Sequence, residues 1–294
     1  MIIGGDKSAV IENIKKLAKA GDYNHKAELD DPELSDEAAE EAIAGYAKYR
    51  NNKVWYFLKS RPVFIMEDIV TLMHKKHIKV VGWENLEKIK KGAIITNNHF
   101  NPLDSIFPRY VIKKKYHKPI NLVAQETNLA MEGFNGFLIY NQRLVPLRKS
   151  PNYILKTFVP TIKRMVKKGE FIVIYPEEEL WFNYRKPRPC KRGTYLFASQ
   201  ANAPVVPIFI EMQDTEEDDN EQFVKLDYTI HILKPIYPDR KKSHKENSKI
   251  MAEQDYRERV EAYEQAYGKK LDYKFSYSDI AGYKRGIKKT SACK

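Results

Sequence analysis

Short apolar runs alternate with helical patterns from Ile78 to Leu233, and this alternation limits the fold more than any other feature. The runs are Ile78 to Val81, Ala93 to Thr96, Ile120 to Ala124, Leu144 to Leu147, Phe171 to Tyr175, Val205 to Glu211 and Val224 to Leu233. Helical periodicity lies between several of them, most clearly from Ile154 to Lys168. Strands alternating with helices predict an α/β domain with a largely parallel sheet flanked by helices. Ligands of such sheets gather at the loops leaving the carboxyl ends of the strands. The acidic run Asp214 to Glu221 reads as a solvated loop.

Helical extensions flank this domain, giving three regions: 1–77, 78–236 and 237–294. Lys7 to Ala20 places Val10, Ile11, Ile14, Leu17 and Ala18 on one helical face, and Gly21 ends the helix. Ser35, after Pro32 and before Asp36 and Glu37, reads as the N-cap of a second helix. Segment 53–73 is the most apolar of the first third, and Pro62 is expected to break it into two arms. With basic flanks at Lys59, Arg61, Lys75 and Lys76 it fits an interfacial, membrane-docking helix; a helix packed on the core fits as well. In the last region Tyr256, Val260, Tyr263 and Tyr267 share a face ahead of Gly268, and the tail is basic, with Lys284, Arg285, Lys288 and Lys289.

The net charge of +12 selects polyanionic partners: nucleic acid, anionic lipid headgroups or phosphorylated small molecules. Two cysteines, Cys190 and Cys293, do not make a disulfide framework, which favours a reducing compartment. The amino terminus lacks a signal pattern, and nothing approaches the roughly 18 consecutive apolar residues of a membrane span. The expected location is cytoplasmic, peripheral on the inner face of the membrane.

The chemistry concentrates in GAIITNNHFNPLDSIF. The strand Ala93 to Thr96 runs into Asn97, Asn98 and His99, and Asp104 follows five residues later. A carboxylate returning from the next turn can hold the proton of one imidazole nitrogen and leave the other as a general base. Spacing alone does not single out this pair, because His25 and Asp30 share it and the chain has seven histidines. Context does: His25 sits in a charged stretch with no strand before it. No Gly-x-Ser-x-Gly elbow accompanies the dyad. Cys190 reads as a poor candidate nucleophile, and Ser105 as a helix-face serine. His74 and His77 lie at a lysine-rich helix end, without credible metal-ligand spacing.

The stretch VVGWENLEKIKKGAIITNNHFNPLDS resembles the opening of the lysophosphatidic acid (glycerol-phosphate) acyltransferase family, whose signature is NHxxxxD after a VxGxEN-like lead-in. Three further blocks follow in the family's order between Ile78 and Ile210. In GFLIYNQRLVPLRKS, Gly136 and Arg148 match the family's glycine and phosphate-holding arginine, with Arg143 a rival. The third block, Phe-Pro-Glu-Gly-Thr-Arg in the family, keeps Pro176 and Glu177, with Tyr175 where the family has phenylalanine and Glu178-Glu179-Leu180 where it has Gly-Thr-Arg. The fourth is Ala203-Pro204-Val205-Val206-Pro207-Ile208.

The resemblance implies acyl transfer from acyl-CoA or an acyl carrier protein to a lysophosphatidic acid-like hydroxyl, in phospholipid biosynthesis. It implies His99 and Asp104 as the catalytic pair, no bound cofactor, no metal and no nucleic acid. Expected substrate-binding residues are Asn98, Gly136, Arg148 or Arg143, and Glu177. The altered third block removes a cation and adds carboxylates, which should repel phosphate. Arg185, Lys186, Arg188, Lys191 and Arg192 follow closely. Either they restore the anion site or the acceptor is a different hydroxylated lipid. A catalytically weak lipid-binding protein on the same fold is the remaining alternative.

Overall fold

The computed structural model describes residues 6–28 and 34–287. Asp30, Pro32, Cys293, Lys288 and Lys289 lie outside these. In chain order the elements are α1 (Ser8–Ala20), α2 (Asp36–Asn51), α3 (Lys53–His74), β1 (Ile78–Val81), β2 (Ala93–Asn97), α4 (Ile106–Tyr116), β3 (Ile120–Gln125) and α5 (Gly133–Asn141). After them come β4 (Leu144–Leu147), α6 (Pro151–Tyr153), α7 (Val159–Lys167), β5 (Phe171–Ile174), α8 (Gly193–Ala201), β6 (Val205–Asp218), β7 (Val224–Ile232) and α9 (His244–Tyr267). A π-helical turn, Ile154–Phe158, joins α6 to α7.

The seven strands form one sheet in the order β1-β7-β6-β2-β5-β3-β4. Only the β6–β7 pairing is antiparallel. The fold is therefore a largely parallel α/β sheet flanked by helices. Strand alternation builds two cores. Ile95, Val173, Val206 and Ile208 point to one side and pack with Phe107 and Val111 of α4. Ile94, Ile172, Ile174 and Val205 point to the other and pack with α7, α8 and α9. β2 is buried along its whole length, so its carboxyl end opens at the centre of the sheet.

The extensions are built into this domain. α1 buries Val10, Ile11 and Ile14 against Trp181 and Phe182 and against Ile280 and Tyr283 from the end of the chain. Ser35 caps α2 by accepting the Ala38 N–H. α9 starts from a capping box of Ser243 and Glu246 and ends at Gly268 in the left-handed region.

Two expectations are corrected. Pro62 does not break its segment, and α3 is one continuous helix with the proline inside it. The proline deprives the Leu58 carbonyl of its partner, but Leu58 is exposed, so water can take that place. The acidic run is no loop through Asp218: β6 continues that far, paired with β7 across a register shift between Asp214 and Asp218. The pairing extends the ladder on both sides of that shift, while Glu216, Glu217 and Asp218 stay exposed.

Candidate active site

β2 delivers Asn97 at its last position, and the next residues turn sharply instead of continuing the strand. The imidazole Nδ1 of His99 lies 2.9 Å from Oδ2 of Asp104. An ionised carboxylate only accepts, so the proton of this bond sits on Nδ1 and Nε2 is the basic nitrogen. Nε2 bonds none of the described residues, and the His99 side chain is 20% exposed, so a substrate can reach it. Asp104 is 1% exposed. Its Oδ2 also accepts the N–H groups of Phe100, at 2.9 Å, and Asn101, at 3.2 Å. Its Oδ1 accepts the hydroxyl of Tyr175, whose ring stacks on His99 with centroids 3.9 Å apart and planes 16° apart. Four donors and near-complete burial hold this carboxylate in one orientation.

The segment after β5 is laced onto the dyad turn. Glu177, buried, accepts the His99 N–H through Oε2 at 3.3 Å. Arg188, also buried, pairs with Glu177 at 2.8 Å and donates to the His99 carbonyl at 3.3 Å. The Trp181 N–H donates to the same carbonyl at 3.1 Å, and the Asn183 N–H to that of Phe100 at 2.9 Å. Removing one partner of a buried ion pair typically costs about 3–5 kcal/mol, so the Glu177–Arg188 pair is a stiff clamp on the His99 backbone. From the other side, Asp255 of α9 accepts from Thr96 at 2.6 Å and from Tyr195 at 2.7 Å, bracing β2 three residues before His99.

The basic loop does not form the phosphate cluster that the sequence suggested. Arg185 is bonded to Asp214 and the Met212 carbonyl. Lys186 lies 2.8 Å from Asp279, and Arg188 belongs to the Glu177 clamp. Arg192 donates to the Lys245 carbonyl and to Ser248. Arg192 and Lys191 remain at the surface. Adjacent side chains along an irregular loop diverge, and each buried cation has taken a carboxylate of the chain itself.

Other expected contact residues are also turned to scaffolding. The Asn98 amide exchanges two hydrogen bonds with the backbone of Ile210, at 2.8 and 3.2 Å, pinning β6 beside the turn. Gly136 has no room for a side chain: a Cβ there would stand 1.8 Å from the Met131 carbonyl oxygen. Arg148 reaches Asp36 at 3.1 Å and Glu40 at 3.4 Å, anchoring α2. Arg143 differs. It lies 3.1 Å from Asn121 and also lines a small cavity with Ser105, Glu67, Arg109 and Gln142. Sequence reading missed Arg109, a helix-face residue without a motif, and missed the hydroxyl of Tyr175, which entered only as a strand end and a position of the third block.

The alternative nucleophiles are poorly placed. Burial pushes the Cys190 thiol well above its ordinary range, which disfavours the thiolate. Ser105 is buried and starts α4. Among the described residues no cluster of His, Cys, Asp or Glu has the makings of a metal site.

Residues 77–211, a little under half of the chain, match the Acyltransferase family model. That stretch, from the start of β1 into β6, carries the whole dyad turn and its clamp, and it is an acyltransferase-family domain. Among solved structures, the 1-acyl-sn-glycerophosphate (LPA) acyltransferase PlsC from Thermotoga maritima is similar. The two share 16% identity and a TM-score of 0.46 over 79% of this chain and 90% of that one. At that identity and score the likeness carries no functional information. A search of curated proteins finds no match.

Proposed function

We propose that this acyltransferase moves a fatty acyl group from an acyl-CoA or acyl carrier protein thioester to the hydroxyl of a lysophosphatidic acid-like glycerolipid, as a step of phospholipid biosynthesis. The observation that carries the reading is the His99–Asp104 pair at the carboxyl end of β2, with Nε2 open to substrate. Nε2 takes the acceptor's proton as its oxygen attacks the thioester carbonyl. The tetrahedral intermediate collapses with cleavage of the C–S bond, and the imidazolium returns the proton to the departing thiolate. The products are an ester and a free thiol. With Cys190 kept as thiol and Ser105 buried, transfer is direct, without an acyl-enzyme.

Acyl transfer from a labelled thioester to lysophosphatidic acid tests this. His99→Ala should lower kcat by about 10²–10⁴, the usual worth of a general base. Parental activity in that variant would sink the mechanism. One observation favours a second acceptor class, a hydroxylated lipid without a phosphate monoester: three of the five loop cations, Arg185, Lys186 and Arg188, are paired with carboxylates of the chain itself. A parallel panel of glycolipid and amino-lipid acceptors separates the two. Absence of transfer to every acceptor would leave the lipid-binding alternative.

The same reading places the domain on an anionic membrane surface, on the cytoplasmic side. No described helix is long and apolar enough to cross a membrane. α3 instead turns Ser60, Val63 and Glu67 inward and exposes Trp55, Phe57, Leu58, Ile65, Ile69, Leu72 and Met73. Phe134 and Phe137 of α5 are exposed as well. Lys75, Lys113 and Lys114 edge a groove of about 220 Å³ between α3 and α4. A large apolar face with basic margins suits the headgroup region of a bilayer. Ile69→Asp with Leu72→Asp should release the protein from phosphatidylglycerol vesicles without lowering its Tm; unchanged co-sedimentation would refute the docking face.

A further inference from the structure

We infer that Tyr175 is a positioning residue of the dyad, and that its hydroxyl sets how strongly Asp104 holds the His99 imidazolium. The inference rests on the reading of His99 as general base.

The ring and the hydroxyl act on different atoms. Stacked at 3.9 Å, the ring fixes the plane of the imidazole and offers a π-face to the cation that forms during transfer. The hydroxyl donates to Oδ1 of Asp104, the one carboxylate oxygen free of His99 and of the backbone donors. Asp104 is 1% exposed, so water does not supply this bond. A donor on Oδ1 draws negative charge away from Oδ2. That weakens the pull of the carboxylate on the imidazolium, so the imidazolium returns its proton to the thiolate more readily. Burial and the neighbouring Asp104 raise the phenol pKa well above its ordinary value, so the hydroxyl remains a donor through the working pH range. The other charged groups at His99, Glu177 and Arg188, touch only its backbone N–H and carbonyl. They are not altered by a change at Tyr175.

Tyr175→Phe keeps the ring and deletes the hydroxyl. The acidic limb of the kcat/KM–pH profile should move up by about half a pH unit. kcat should fall roughly fivefold at neutral pH, with KM for both substrates unchanged. The NMR titration of the His99 ring should move in the same direction, a readout that does not need turnover. Tyr175→Leu, which also loses the stack, should lower kcat further. A Tyr175→Phe protein with a parental profile and an unmoved His99 titration overturns the inference, while an inactive His99→Ala control leaves the base assignment standing. Parental activity in His99→Ala would instead remove the assignment beneath it.

Discussion

His99 and His231 each face a carboxylate, Asp104 at 2.9 Å and Glu211 at 2.7 Å, and each imidazole is 20% exposed. By distance and exposure the two pairs are interchangeable, yet their wiring differs. His231 and Glu211 meet across the antiparallel β6–β7 ribbon, and the other oxygen of Glu211 accepts only a side-chain amide, from Gln213. Asp104 is the hub of a turn: two backbone N–H groups, a tyrosine hydroxyl and the imidazole converge on it. Its position follows a central parallel strand, where loops rather than neighbouring strands border the imidazole. A histidine–carboxylate distance is thus a weak marker of catalysis. The role proposed for His99 rests instead on the number of fixed donors on its carboxylate and on its place at the end of a strand.

Exchanging the carboxylates tests the comparison most directly. Asp104→Asn should lower kcat by about 10²-fold or more, because the amide no longer fixes the tautomer or balances the imidazolium. Glu211→Gln should leave kcat within about twofold and cost about 1 kcal/mol of stability in urea unfolding, the worth of one ordinary hydrogen bond. Equal losses of activity in both would erase the distinction.

A third buried carboxylate sharpens it by pH. Glu67 of α3 faces Arg109 at 3.1 Å and accepts from Gln142 at 2.9 Å, yet burial raises its pKa above the ordinary 4.5. An acid whose folded-state pKa is raised contributes most stability below its unfolded value and loses it as pH rises through the folded value. The stability of the parent relative to Glu67→Gln should therefore decline from about pH 4.5 towards neutrality in denaturant titrations. A difference independent of pH would show that Arg109 fully offsets the desolvation.

The smallest effect concerns the clamp loop. Glu178 occupies the family's glycine position and sits at φ +66°, in the left-handed region that favours glycine. The turn holds a glutamate in a conformation that costs it strain a glycine would not carry. Glu178→Gly should raise stability by about 0.5–1 kcal/mol in urea unfolding, the relief of left-handed strain less the added chain entropy. A loss of stability would show that the glutamate side chain earns its place through contacts in the turn.

Much of this protein is local in origin, and that part was legible. All seven strands and the caps at Gly21, Ser35 and Gly268 follow from short-range rules, namely alternation, side-chain capping and the left-handed glycine. The approach of Asp104 to His99 is also local, since one turn of chain separates them. The amino-acid sequence by itself thus determined the sheet, its flanking helices and the dyad turn. The tertiary structure decided the rest. It assigned Arg185, Lys186 and Arg188 to internal carboxylates instead of a ligand, gave Asn98 to Ile210, and set the Tyr175 hydroxyl on Asp104. It also carried α3 past Pro62 and brought Asp255 of the carboxyl-terminal helix behind β2. The reason is that partner choice for a buried charge or hydroxyl depends on which groups distant in sequence arrive within about 3 Å, and no periodicity or motif records that distance.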